Sequence, residues 1–208
     1  MRTRVVLAFA VLAASASGAA AQDEHRRRLA AELVVMAGDA RLLEAASAPP
    51  LRMDGLRARL AGALSSLPLL LRRTGGDPGL VPALRGAHAR RDWRSLLEGV
   101  RALQDRYPFD AGGLLAVRPT PEQRKVGEAI HREACAGCHD APAADAKLPA
   151  LDLYAQAREL GAVEFAARLL LGVRGDRTTA YRNPFSDLEL AALVAHYGAG
   201  RPGAPATK

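Results

Sequence analysis

The sequence predicts an all-α protein in two parts, an N-terminal helical bundle followed by a smaller helical domain. Two observations carry this expectation. Apolar residues in the first half recur at three- and four-residue spacing in four stretches separated by Pro and Gly breaks. In the second half, two helix-start signatures, Thr120-Pro121-Glu122-Gln123 and Ser186-Asp187-Leu188-Glu189, each place a Ser or Thr three residues before a Gln or Glu.

The chain of 208 residues opens with Arg2 and Arg4, an apolar run from Val5 to Val11, and small residues ending in Ala19, Ala20 and Ala21. That layout predicts a secretory signal peptide over residues 1–21, cleaved before Gln22. Its apolar core is too short to span a bilayer, and no later segment has a continuous apolar run of spanning length. The expectation is therefore an exported protein without a transmembrane segment, in a bacterial periplasm or its equivalent.

Residues 22–110 read as the helical bundle. Helices are expected from about His25 to Ala46, Leu51 to Leu71, Leu80 to Ala89 and Arg91 to Tyr107. The first carries the stripe Leu29, Leu33, Met36, Ala40, Leu43, and the second Met53, Leu56, Leu60, Leu64. The last has the clearest stripe: Trp93, Leu96, Leu97, Val100, Leu103 and Tyr107. Breaks fall at Pro49-Pro50 and at Gly75-Gly76-Asp77-Pro78-Gly79. Residues 111–118 read as a linker, 119–200 as the second domain, and 201–208 as a disordered tail.

Only two cysteines exist, in Cys135-Ala136-Gly137-Cys138-His139. In an exported chain a disulfide is the plain reading of two cysteines. A redox dithiol would follow a strand, and no strand-like run precedes Cys135. A structural zinc site needs a fourth ligand, and only three candidates lie together. Haem attachment uses all three residues at once: each thiol adds across a vinyl group to form a thioether, and the adjacent imidazole reaches the iron. One covalently attached haem c per chain is expected, on Cys135 and Cys138, with His139 as axial iron ligand.

Around this motif, residues 119–200 resemble a class I cytochrome c domain. The helix capped by Thr120 leads to Cys135, and the helix opened by Ser186 carries Leu190, Leu193, Val194 and Tyr197 to a stop at Gly198. Gly127, eight residues before Cys135, matches the small residue where the first and last helices of that family cross. The resemblance implies that the Pro149 carbonyl accepts from the ligand histidine and orients it. It also implies that His131 and His196 occupy the aromatic positions that pack at the helix crossing, a paired structural role.

The chain departs from this family at the sixth iron ligand. Its only methionines are Met1, Met36 and Met53, all before the haem motif, and no Met, His or Lys lies between Arg174 and Asp187. The expected slot falls near Ala180 or Tyr181. Tyr181 is the substitute ligand offered there, beside its plainer reading as an aromatic over the haem edge. Asn183 offers an amide oxygen, although Asn before Pro commonly begins a turn. Met36 and Met53 lie on bundle stripes and read as core; His25 and His88 read as solvent-exposed. An unusual or open sixth position is expected, with a lower reduction potential than thioether ligation gives.

The net charge of +7 is unevenly spread. Residues 22–118 hold 16 Lys/Arg against 11 Asp/Glu, whereas residues 119–208 hold 11 of each. A basic bundle suits docking of an acidic redox partner protein. Nucleic-acid binding is excluded by export and by an aromatic content of 4%. The expected function is single-electron transfer, not enzymatic catalysis. The alternative is a haem-based sensor or binder of small molecules such as CO or NO at an open sixth position.

Overall fold

The computed structural model describes the backbone of residues 3–143, 145–172 and 184–201, with side chains from residue 23 onward. Every regular element among them is helical and no strand forms, as the two kinds of sequence signal predict. The chain divides into two compact units, Met1–Ala45 with Leu56–Phe109, and Ala46–Gly55 with Asp110–Lys208.

The first unit contains α1 (Thr3–Ala45), most of α2 (Pro50–Arg73), α3 (Val81–Ala89) and α4 (Trp93–Arg106). The α1 helix starts well before His25, because the Ala- and Leu-rich stretch ahead of it holds no proline to break it. Its predicted stripe is buried throughout: Leu29, Leu33, Met36, Ala40 and Leu43 are all at most 2% exposed. Leu96, Leu97, Val100 and Leu103 of α4 supply a facing stripe, and Asp92 caps that helix through the Ser95 amide. Asp39 is also buried and is neutralised by an ion pair with Arg59 of α2.

Pro68 sits inside α2, where it has no N–H to give the Leu64 carbonyl one turn back. Arg85 of α3 replaces that donor: its Nε and Nη2 donate to the Leu64 oxygen at 3.2 and 3.0 Å. A buried-helix carbonyl left without a partner would cost about 1–3 kcal/mol, so this one arginine lets the helix continue to Arg73. His88, expected in solvent, is half-buried instead: its Nε2 lies 3.0 Å from the Arg57 carbonyl and its ring stands edge-on to Trp93.

In the second unit, α5 (Pro121–Ile130) starts with the predicted reciprocal box, Thr120 accepting from the Gln123 amide while Gln123 accepts from the Thr120 amide. It runs into a π-helical turn, His131–Cys135, and one helical turn, α6 (Ala136–His139). The stretch between Pro149 and Asn183, for which the sequence pattern assigns no element, carries α7 (Leu153–Leu160) and α8 (Ala162–Leu171). Gly161 joins them at φ +77°, a conformation that only glycine adopts without strain. The last helix, α9 (Asp187–Gly198), opens with the second predicted box at Ser186 and Glu189.

The α9 helix packs against α5, α7 and α8. Consequently every residue from Leu190 to Tyr197 is buried, where a single stripe of four was expected. Two further boundaries move. Ala111 and Leu114, placed in a linker, are buried, because the amides of Leu114 and Leu115 turn back onto the Ala111 carbonyl. Arg201, placed in a disordered tail, is fixed by ion pairs described below. Among the described residues no helix is long and apolar enough to cross a membrane.

The α5–α9 crossing turns on Gly127, as expected. A Cβ there would run into the Ala192 carbonyl and stand 2.7 Å from the His196 Cβ. Gly127→Ala is therefore expected to destabilise the protein by about 3 kcal/mol, the upper range of overpacking, as a lowered denaturant midpoint. Arg85→Met is expected to cost about 1–2 kcal/mol in the parent chain and clearly less in a Pro68→Ala background, where the restored amide serves Leu64; a double-mutant cycle measures the difference.

Candidate functional site

The π-helical turn decides how Cys135, Cys138 and His139 are presented. Cys135 lies at its end, half-buried, and in α6 Cys138 is exposed and His139 half-buried. Both cysteines are free thiols. Burial pushes the Cys135 thiol up from its ordinary pKa, with the nearby Tyr197 hydroxyl pulling the other way and the Asp140 carboxylate adding to the rise. Cys135 is thus held as a thiol.

His139 has a defined tautomer. Its Nδ1 lies 2.6 Å from the Leu151 carbonyl oxygen, which can only accept, so Nδ1 carries the proton. The lone pair is then on Nε2, on a half-buried ring. The expected partner of this ring was the Pro149 carbonyl. The structure gives that role to Leu151, and the Pro149 carbonyl instead accepts from Arg52 Nη2 at 3.1 Å. The reason is local: Asp152 caps α7 through the amides of Tyr154 and Ala155, which pins the chain at Leu151, beside the cap, rather than at Pro149.

Behind the motif lies a buried polar cluster. His131 and His196 face each other with ring centroids 5.5 Å apart, both buried. His131 Nε2 donates to Asp140 Oδ2 at 2.9 Å, and its Nδ1 lies 2.8 Å from the Tyr197 hydroxyl. The Tyr197 hydroxyl donates to that Nδ1. The Tyr154 hydroxyl pairs with His196 Nε2 at 2.8 Å. Tyr154, Phe165 and the two histidines ring Tyr197 edge-on, at 5.1 to 5.5 Å.

Burial shifts these groups in consistent directions. Tyr197 is pushed far up, by burial first and by the Cys135 thiol second. Tyr154 is raised by burial and by Asp140. His196 is lowered, by burial first and then by His131, so it is held neutral.

Met36 is sealed in the core of the first unit. Met53 is half-buried at the start of α2, in the stretch Ala46–Gly55 that belongs to the second unit. Tyr181 and Asn183 lie outside the described residues. Among the described residues no three His, Cys, Asp or Glu side chains converge as a metal-ion cage. The residues that sequence reasoning missed are Leu151, Asp140, Asp152 and Arg201. Asp152 had a readable signal, a capping residue before the amphipathic stretch Leu153–Leu160; Arg201 had none.

Comparison with protein-family models, with curated proteins and with solved structures found no match for this chain.

The lowered His196 pKa sets a pH dependence. The unfolded chain binds the proton at the ordinary histidine pKa while the folded one resists it, so stability is lost as pH falls through that region. The denaturant midpoint is expected to fall between pH 7.5 and about 5.5, and His196→Phe should flatten that slope without removing the steeper loss at lower pH where carboxylates protonate.

Proposed function

We propose that this chain is an exported monohaem c-type cytochrome, built on a class I-like helical domain and acting in single-electron transfer. The observation that carries the reading is the His139 tautomer: Nδ1–H donates to the Leu151 carbonyl, leaving the Nε2 lone pair one residue from Cys138 with no hydrogen-bond partner among the described residues. This half-buried ring is oriented by its backbone partner and keeps its other nitrogen unused, as an axial ligand requires.

The residues present fit a haem. The Cys135 and Cys138 thiols are free, Cys138 fully accessible, and the two stand three residues apart on helical backbone with His139 next in line. The same unit exposes Leu148 and Leu151 beside the motif, and Val126, Val163 and Leu188 elsewhere. Such apolar surface is costly in water and supplies walls for a flat apolar ring. When bound, haem supplies a one-electron ferrous–ferric couple.

The remaining chemistry belongs to the chain. Cys135 and Cys138 anchor the group and His139 Nε2 ligates. Leu151 raises the basicity of that imidazole by accepting its Nδ1 proton, which favours the oxidised metal. The buried His131–Tyr197–Asp140 network fastens the turn to α9 so that the ligand does not wander. The sixth position is proposed to be open or held by an oxygen ligand such as Tyr181. A periplasmic location and a partner that docks on the Arg-rich first unit complete the reading.

Expression with a haem-attachment system and a cleavable leader tests it. The expected product is a chain heavier by one haem, with a c-type pyridine haemochrome spectrum. Single Cys135→Ala and Cys138→Ala variants should lower the yield and shift that spectrum toward one thioether, and the double variant should hold none. A parent chain that emerges haem-free overturns the proposal. Ferrous spectra before and after CO then separate a dedicated carrier, which ignores CO, from a small-molecule binder.

A further inference from the structure

The hydrogen bond between His139 and Leu151 has a feature at each end that the reading above does not use. The residue after His139 is Asp140, and the residue after Leu151 is Asp152. Each carboxylate divides its two oxygens in the same way. Asp140 gives Oδ2 to His131 and Oδ1 to Arg201, at 2.9 and 3.4 Å. Asp152 gives Oδ1 to the amides that open α7 and Oδ2 to Arg201, at 2.8, 3.3 and 3.3 Å. One guanidinium, Nη2 in both contacts, thus joins the two segments that carry the donor and the acceptor of the axial-histidine hydrogen bond.

The geometry points to Arg201 as a positioning residue for His139: its guanidinium clamps Asp140 to Asp152 and so holds the His139 Nδ1–Leu151 carbonyl contact closed. This rests on the reading of His139 as an iron ligand. A single surface ion pair would contribute little to such a task, because solvent screens it and the side chain is free to leave. Arg201 is placed differently. It meets two carboxylates, and its Cζ lies 4.6 Å from the centroid of the buried Tyr154 ring, which restricts the guanidinium to one face. Tyr154 is in turn fixed by its hydroxyl on His196. The clamp therefore stands on the buried cluster, although the arginine itself is partly exposed.

The position of Arg201 makes this a tertiary device. It is three residues past the end of α9, at a bend after Gly200 in a positive-φ conformation. The last helix thereby holds the His139 turn twice, through Tyr197 on His131 and through Arg201 on the two aspartates. The contact being held is short, 2.6 Å, and joins a half-buried ring to the carbonyl of the exposed Leu151. Small movement of either segment lengthens it.

Haem-loaded parent, Arg201→Ala and Arg201→Lys proteins provide the test, with two readouts. The first is the reduction potential. Loss of a positive charge near the metal, by itself, lowers the potential, whereas loosening the histidine hydrogen bond makes the imidazole a poorer donor and raises it. The clamp predicts a rise in Arg201→Ala. The second is exchange of the His139 Nδ1–H with solvent, followed by NMR, expected to quicken in Arg201→Ala as the contact opens. Arg201→Lys, which keeps a cation between the carboxylates, should lie closer to the parent in both. A potential that is unchanged or falls, or an exchange rate equal to the parent's, overturns the clamp. Failure of the underlying reading is distinguishable, since the parent chain itself would then carry no covalent haem.

Discussion

Everything about the second unit depends on how closely α5 approaches α9 at Gly127. With no Cβ, the backbone of α5 lies directly against the Ala192 carbonyl and the base of the His196 side chain. That approach sets the distance between the two helices, and hence whether groups four residues on from Gly127 meet their partners. His131 reaches the Tyr197 hydroxyl and the His196 ring only because the helices are this near. From His131 the same constraint passes to Asp140, and through the π-helical turn to Cys135. A backbone contact at one glycine therefore fixes the presentation of a thiol and an imidazole that lie two and three helical turns further along.

The crossing is unusual in being polar. Two histidines and two tyrosines buried between helices would be heavily penalised if left without partners, since each would lose its water without replacement. Here each ring has one: His131 with Tyr197 and Asp140, and His196 with Tyr154. A fully satisfied buried network has few alternative arrangements, because any shift orphans a donor or acceptor. An apolar pair at the same positions would pack as well but would tolerate sliding. The polar pair ties the crossing to Asp140, and Asp140 is the residue next to the proposed ligand. Rigidity at that point matters for electron transfer, which favours a metal site that does not rearrange between oxidation states.

The first unit solves a different problem with the same economy. Its second helix contains a proline that ought to end it, and a single arginine from the next helix supplies the missing donor to Leu64. Met36 on the α1 stripe is fully buried, so the softness of a thioether serves packing there, whereas Met53, expected in the bundle core, is half-buried in the second unit. Arginine thus has structural uses in this chain, Arg52, Arg59, Arg85 and Arg201 among them, and part of its abundance is explained without any partner. The Arg-rich surface that remains is what the proposed acidic partner would meet.

Much of the helical framework was legible from residue order alone. The stripes of α1 and α4, the capping boxes at Thr120 and Ser186, and the glycine at the crossing are local or periodic signals, and each depends on residues within a few positions of one another; of the expected α2 stripe only Leu60 and Leu64 are buried, Met53 and Leu56 being half-buried. The Cys135–His139 spacing is of the same kind, and it names the chemistry proposed here. What residue order did not reveal is long-range. Pro149 stood where an orienting carbonyl was expected, yet Leu151 faces His139, because the cap of α7 pins the chain two residues further on. Leu114 in an expected linker is buried, and Arg201 in an expected tail closes a bridge between residues 61 and 49 positions away. Sequence determined the bundle helices, α5 and α9, and named the candidate reactive residues, since periodicity and caps are written into neighbouring side chains; it did not mark α7 and α8. Only the tertiary structure decided which carbonyl orients His139 and which cation holds it, because those partners meet through packing that no local pattern encodes.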